Sequence, residues 1–301
     1  MSMVSKELDE IKQNRLTHMA NRHPCFGGGP NINRGRVHLP VSPACNIQCA
    51  FCSRTRNETE QRPGVTSQLL SPEEAANIVD RALELCPEIT VAGIAGPGDT
   101  LATHHALDTF QIIKERHPEL INCLSTNGLL LEQYAEELVD AGVRTVTVTV
   151  NAVDPEILKH ICLWVVKDGK RYEGAEGAAV LIEAQKRGIA KISALGALVK
   201  INMVLVPSVN DNHVEETART VKELGAHFFN IIPLIPQYKL AHLPEPTCEQ
   251  LHHAREQAEA YLPVFRHCQH CRADACGIPG KLDVADELYA IRQAATTFSH
   301  G

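Results

Sequence analysis

Three cysteines at CxxxCxxC spacing, Cys45, Cys49 and Cys52, are the residues of this chain best suited to chemistry. Carried on one loop, three thiolates can wrap one face of a cubane iron–sulfur cluster. Ordinary electron-transfer clusters take four cysteine ligands, so a three-thiolate site leaves one iron open to a substrate. Zinc is the alternative occupant, but structural zinc sites need four ligands and usually pair two CxxC or CxxH knuckles. A second trio, Cys268, Cys271 and Cys276, falls within Cys268–Gly277 near the end of the chain. Read alone, it is a zinc knuckle; beside a cluster-binding core it is better read as an auxiliary cluster site. Arg272 and Asp274 would then be the partners that orient the thiolates. Cys25 sits in the short motif His23-Pro24-Cys25-Phe26, whereas Cys86, Cys123, Cys162 and Cys248 are isolated. An isolated cysteine is most often a small buried apolar residue.

The chain has 301 residues and 11 cysteines. An odd cysteine count without an export signal favours metal binding or catalysis over a disulfide framework. The first 23 residues are polar and lack an apolar segment, so a cytoplasmic location is expected. Hydrophobic residues make up 44% and charged residues 22%, which fits a folded globular chain and excludes a disordered one. No apolar run is long enough to span a membrane. The net charge is −7, and the longest basic run is Lys186-Arg187, which argues against a nucleic-acid partner. With no exposed apolar stripe legible, a monomer is expected.

These thiols need a scaffold. Apolar, β-branched runs predict strands at Val37–Val41, Ile89–Ile94, Ile121–Leu124, Thr145–Val150, Leu198–Val206 and Phe228–Leu234. Helices are expected between them. Ser71-Pro72-Glu73-Glu74 is a capping box opening a helix towards Leu85. Others run from about Thr103 to His117 and from Leu130 to Gly142. Asp154-Pro155 opens a further helix, Gly188 closes the one after it, and Asn210-Asp211 caps one ending at Gly225. A helix at Thr247–Leu262 and a last one near Asp283–Ala294 complete the expectation.

Alternating strands and helices build a parallel α/β sheet. Ser42–Cys52, Gly96-Pro97-Gly98-Asp99, Thr126-Asn127-Gly128, Asn151 and Pro207–Asn210 each follow a different consecutive strand. In a barrel those ends form one ring, whereas a doubly wound sheet gathers its functional loops at a switch point. The expectation is therefore a partial (β/α)6 TIM-type barrel over residues 37–236. Residues 1–36 form an N-terminal extension carrying a cluster ligand, and residues 237–301 a C-terminal one carrying the second cysteine motif. On the rim, Gly96, Gly98 and Asp99 could approach a ligand with backbone and carboxylate, although a plain turn gives the same letters. Thr126, Asn127 and Asn151 are further contacts expected there.

The CxxxCxxC loop, with Phe51 before its last cysteine, resembles the signature of the radical S-adenosylmethionine (radical SAM) superfamily. The resemblance sharpens across residues 22–280. HPCF, the CxxxCxxC core, Glu60-Gln61-Arg62-Pro63, AGPGD, TNG and CxxCRADACG occur in the order found in the NifB family of maturases, which make the nitrogenase iron–molybdenum cofactor precursor. Thr100 departs from the proline expected after GPGD. Ending at Gly301, the chain resembles the short form, without the carrier-like domain of some relatives.

The resemblance implies a [4Fe-4S] cluster held by Cys45, Cys49 and Cys52 whose open iron binds SAM. It further implies two [4Fe-4S] substrate clusters, one on Cys25, His38 and Cys123, the other on Cys268, Cys271 and Cys276. These would be fused, with a carbide taken from a SAM methyl group and an added sulfur, into an eight-iron precursor. A histidine suits a cluster destined to leave, because imidazole is a weaker, protonatable ligand. Glu60 and Arg62 would handle protons or position substrate as catalytic residues. Implied partners are iron–sulfur cluster donor proteins, an electron donor, and a downstream cofactor carrier or scaffold. Two other readings remain at this point. One is a radical SAM enzyme whose auxiliary clusters serve modification of a peptide or small molecule; the other is a non-catalytic iron–sulfur scaffold.

Overall fold

The structure is a computed structural model that describes residues 17–26 and 33–289. Six parallel strands form its frame: β1 (Gly35–His38), β3 (Ile89–Ile94), β4 (Ile121–Thr126), β5 (Val143–Thr149), β8 (Leu198–Leu205) and β9 (Phe228–Pro233). Each pairs with the next in chain order, from β1–β3 through β8–β9, and β9 does not return to β1. That is the expected (β/α)6 partial barrel.

Strand parity explains its two faces. Val37, Val146, Val148, Val199, Ile201 and Met203 pack outward into the main apolar core. Arg36, His38, Thr145, Thr147, Lys200 and Asn202 alternate with them and point inward. The inward face is polar at these positions, and a small apolar cluster of Phe26, Val91, Ile121, Cys123 and Leu198 fills the rest of it. Outside the barrel lie α1 (Pro72–Leu85), α2 (His105–Arg116), α3 (Leu131–Asp140), α5 (Gly174–Ala194), α6 (Val214–Glu223) and α7 (Cys248–Glu259). The Ser71 box is formed reciprocally: Glu74 N donates to Ser71 Oγ, and Ser71 N to Glu74 Oε2. Gly142 and Gly225 follow α3 and α6 with φ +86° and +93°, the left-handed geometry that a glycine stop supplies.

Two expectations are corrected. Gly188 does not close a helix; it lies buried inside α5, where an added Cβ would come within 2.8 Å of Leu131 Cβ. Close packing of α5 on α3, not termination, requires the glycine there. Asn210 does not cap α6, whose N-cap is His213. Instead its buried side chain accepts from Val206 N and donates to the Asn151 and Val204 carbonyls, bracing the loop after β8. Asp154-Pro155 opens a helix as expected, the single turn α4 (Pro155–Leu158), with Asp154 as its N-cap. A hairpin of β6 (Cys162–Lys167) and β7 (Lys170–Glu173) follows it. With β2 (Ile47–Cys49) this hairpin makes a second, three-stranded sheet. The C-terminal cysteine motif joins the main sheet. β10 (Cys276–Ile278) runs antiparallel to β1, and β11 (Leu282–Asp283) pairs with β10. Of the last expected helix, α8 (Ala285–Leu288) is present, and residues 290–294 lie outside the described residues. Among the described residues, no helix is long and apolar enough to cross a membrane.

Candidate active site

A cavity of about 280 Å³ opens where the strands end. Ala95, Ser125, Thr149, Val204 and Pro233, at or beside the C-terminal ends of β3, β4, β5, β8 and β9, line its floor. Cys45, Cys49 and Cys52 line one wall. Their loop is held at both ends. Cys49 lies opposite Cys162 in the β2–β6 pairing. Gln48 Nε2 donates to the Cys49 and Cys52 carbonyls at 3.0 and 2.8 Å. The buried Arg54 guanidinium donates to Ile47 O and lies over the Trp164 ring.

The donor set fits a three-thiolate cluster. Three thiols from one loop face one cavity, and the Ile47 amide supplies a hydrogen bond to the Cys45 sulfur. Burial, assisted by Asp99, pushes the Cys45 thiol up to about 12, and burial with Cys162 and Cys52 pushes Cys49 well up. Metal loading must therefore displace protons that the metal-free thiols hold at neutral pH. Among the described residues, no three His, Cys, Asp or Glu side chains converge on a single-ion site.

The rim residues hold this loop in place. An added Cβ on Gly98 would meet Ala44 O at 1.9 Å. Gly98 N and Asp99 N donate to Ser42 O and Ala44 O at 2.9 and 2.8 Å, so GPGD docks backbone to backbone beside Cys45. The buried Asp99 carboxylate accepts from Thr126 Oγ1, Asn127 N and Leu101 N. Asp99 thus ties Thr126 and Asn127 to the GPGD loop while still lining the cavity. Asn127 Nδ2 reaches Asn46 Oδ1 at 2.6 Å, and Asn151 Oδ1 accepts from Val204 N. Both still line the cavity.

Below the rim the lumen collects the other predicted ligands. The His38 ring Nδ1 lies 2.9 Å from Arg272 O. A carbonyl can only accept, so Nδ1 carries the proton and the Nε2 lone pair is left for a metal. Burial, then Arg36, pushes His38 down to about 4, which keeps it neutral. The ring has room because its neighbour is Gly93, where a Cβ would stand 3.0 Å from His38 Cδ2. Cys25 is influenced electrostatically by both Cys271 and Cys268, and Cys123 by Cys25. Burial raises the Cys25 thiol and pushes Cys123 up to about 12. Cys271 accepts from Arg36 Nη2 at 3.0 Å and also lines the cavity of the CxxxCxxC thiols.

Cys276 is not brought to this group. It lies on β10 with 0% exposure, in the outward-facing core with Cys86 and Tyr289. Its register partner on β1 is Val37, which packs into the same outward core. Of the two residues expected to be catalytic, Arg62 lines the cavity, reaching Ser53 Oγ and Thr55 Oγ1 at 3.2 Å. Glu60 binds Arg62 Nε at 2.5 Å but is 46% exposed at the outer edge. Arg272 and Asp274 form a buried pair at 2.8 Å. Arg272 also donates to the Glu60 and Asn57 carbonyls, and Asp274 accepts from Thr66 and Ser67. The pair thus fastens the C-terminal motif to the loop over the cavity. Burial alone would raise the Asp274 carboxyl; these bonds outweigh it and hold it low.

The sequence reading missed Arg36, Lys200, Gln185, Asn202 and Cys162. Cys162 is buried, as an isolated cysteine usually is, yet it lines the cavity and its thiol donates to Trp164 O. A lysine at an inward position of the apolar run Leu198–Leu205 was the signal for a functional lumen.

The sequence profile of the Radical SAM superfamily matches residues 39–221. The barrel also resembles solved radical SAM structures. SuiB from Streptococcus suis, bound to S-adenosylmethionine, has a TM-score of 0.56 at 13% identity, over 76% of this chain and 49% of that one. Methylornithine synthase PylB has 0.52 at 16%, over 83% and 69%. At those identities the likeness shows the fold. The class is a radical SAM protein. The FeMo cofactor biosynthesis protein NifB of Methanocaldococcus jannaschii is 48% identical over 284 residues, 94% of each chain, and that of Methanocaldococcus infernus is 47% identical over 92% of each. NifB of Klebsiella pneumoniae is 42% identical over 87% of this chain and 58% of that protein. The chain belongs to the NifB family.

Proposed function

We propose that this chain is a radical SAM enzyme of nitrogenase-cofactor biosynthesis. In this reading it fuses two [4Fe-4S] substrate clusters around a SAM-derived carbide, with one added sulfur. One SAM gives a methyl group to a cluster sulfide, and a second provides the radical that takes hydrogen from it. Cys45, Cys49 and Cys52 hold the resident SAM cluster, and Cys25, His38, Cys123, Cys268 and Cys271 hold the substrates. When bound, the SAM cluster supplies the electron that cleaves the sulfonium to a 5′-deoxyadenosyl radical.

The residues divide the remaining work. The Asp99–Thr126–Asn127 frame fixes the GPGD loop against the thiol loop, which would hold the three thiolates steady at the cavity wall. Arg62, held by Glu60, presents a cation at the cavity wall. His38 offers a neutral Nε2 that a proton can compete for, which suits release of the fused product. Cys268 and Cys271 offer thiols from a segment clamped by Arg272 and Asp274. Cluster donors, an electron donor and a product carrier complete the pathway.

The observation that carries this reading is Cys271. Its thiol lines the same cavity as Cys45, Cys49 and Cys52 while belonging to the lumen group of Cys25 and Arg36. A cluster held there would lie within reach of chemistry begun at the rim. Anaerobic reconstitution followed by product analysis tests it. Formation of 5′-deoxyadenosine and S-adenosylhomocysteine, with iron leaving as an extractable cluster, is expected. 5′-Deoxyadenosine alone would indicate a modifying enzyme that keeps its auxiliary clusters, and neither product a passive scaffold.

A further inference from the structure

Two buried cations stand in the lumen with no carboxylate beside them. Arg36, on β1, is 5% exposed, and Lys200, on β8, 6%. Arg36 donates to Gly277 O and Cys271 Sγ, and its Nε has no hydrogen-bond partner among the described residues. Lys200 Nζ donates to Cys25 O at 3.0 Å and lies over the Phe26 and Phe265 rings at 4.7 and 5.2 Å. A carbonyl and two ring faces solvate an ammonium only in part. Among the described residues, neither forms an ion pair, and the nearby Asp274 is already paired with Arg272. Removing a charge from water without a counter-ion is costly, so buried cations normally come paired. What faces these two instead are thiols: Cys25 and Cys271 feel Arg36, and Cys25 and Cys123 feel Lys200.

We propose that Arg36 and Lys200 are positioning residues that supply the counter-charge for anionic iron–sulfur clusters on the lumen thiols and favour their reduced state. This rests on the reading that those thiols bind clusters. Each thiolate subtracts a charge from a cubane core, and each added electron subtracts another, whereas a neutral His38 subtracts none. The occupant becomes more anionic as it is reduced, and the fixed cations then hold it more firmly. Cluster potentials respond to nearby charge and hydrogen bonds in this sense. Arg36 adds direction, because its bond to Cys271 Sγ fixes which way that sulfur faces.

The test is an anaerobic redox titration with dithionite, read by electron paramagnetic resonance and iron content. It compares reconstituted full-length wild type with Lys200→Met, Lys200→Arg, Arg36→Gln and Arg36→Lys. Wild type should hold iron beyond the SAM cluster; if it does not, the cluster-binding reading fails, whatever the variants do. Given that iron, Lys200→Met and Arg36→Gln should each cut the reduced fraction of the lumen clusters at fixed potential, on the order of tenfold. The SAM cluster's signal should persist in both. Lys200→Arg and Arg36→Lys should restore most of the lumen signal. Metal-free Lys200→Met should melt no lower than metal-free wild type, because an unpaired buried cation has been removed. Unchanged potentials and iron content in both charge-removing variants would overturn the proposal. So would Lys200→Met and Arg36→Gln proteins that unfold when metal-free, since the cations would then be structural.

Discussion

The proton on His38 Nδ1 is donated to the backbone carbonyl of Arg272, 2.9 Å away and 234 residues later in the sequence. The bond ties the C-terminal cysteine motif to the first strand of the barrel and, in the same contact, sets which imidazole nitrogen can meet a metal. Replacing His38 with Ala should lower lumen iron while leaving the CxxxCxxC cluster assembled. Iron content and cluster spectra of the reconstituted variant check this, and iron equal to wild type would count against His38 as a ligand.

The same histidine gives the metal-free protein an acid limit. His38 is pushed down to about 4 in the fold, against about 6.5 in an unfolded chain. The unfolded state therefore binds the extra proton between those values, and stability falls as pH drops from 6.5 to about 4, by on the order of 3 kcal/mol. Asp274, held low, adds a second loss at still lower pH, as acid protonates it through its folded value. Burial also pushes His23 well down, so it contributes over the same range; denaturant melts of metal-free His38→Gln should therefore show a shallower upper slope than wild type, and an unchanged slope would count against His38 as its source.

Gly98→Ala should be severe for a change of one methyl group. Its Cβ would sit 1.9 Å from a backbone oxygen that cannot move without displacing the residue before Cys45. A loss of about 1–3 kcal/mol in thermal or denaturant stability is expected, with weakened loading of the SAM cluster. Gly188→Val should cost a similar amount through the α3–α5 contact and leave iron loading unaltered. Equal effects of the two on iron would remove the distinction between framing and packing glycines.

The barrel was legible because its strands are apolar runs with one outward β-branched face, and because the polar motifs fall after consecutive strands. Its detail was less so. Asp168 and Gly169 take φ +52° and +73° in the β6–β7 turn, and Asp-Gly between strand-like runs is a strong hairpin signal. A helical expectation carried from Asp154 hid it. Gly188 failed for another reason. A glycine demanded by a neighbouring helix and one ending its own helix look alike in a single sequence. Asp99 was recognised as important, but only the fold shows its carboxylate turned to Thr126 and Asn127.

Cys276 and Cys271, five residues apart, separate a core thiol from a ligand candidate. Cys276→Ala should cost roughly 1 kcal/mol of stability and leave iron content at the wild-type level. Cys271→Ala should lower lumen iron with little change in the metal-free melt. Loss of iron in Cys276→Ala comparable to that in Cys271→Ala would return Cys276 to the ligand set.

Arg272 and Asp274 form a charged pair far from water, and breaking one side leaves the other unpaired. Asp274→Asn or Arg272→Gln should therefore destabilise the protein by about 3–5 kcal/mol. Replacing both by apolar residues of similar size should be milder. A double-mutant cycle on metal-free protein measures the coupling; strictly additive losses would mean that the clamp does not act as a pair.

The rim thiols and the lumen thiols, which meet at the cavity only through Cys271, are proposed to do different work. The measurement that reaches this division most directly is anaerobic SAM-product analysis of reconstituted Cys45→Ala/Cys49→Ala beside Cys271→Ala. The rim variant should form no 5′-deoxyadenosine, whereas Cys271→Ala should still cleave SAM reductively but release no product cluster. Parallel loss of both activities in both variants would contradict separate sites.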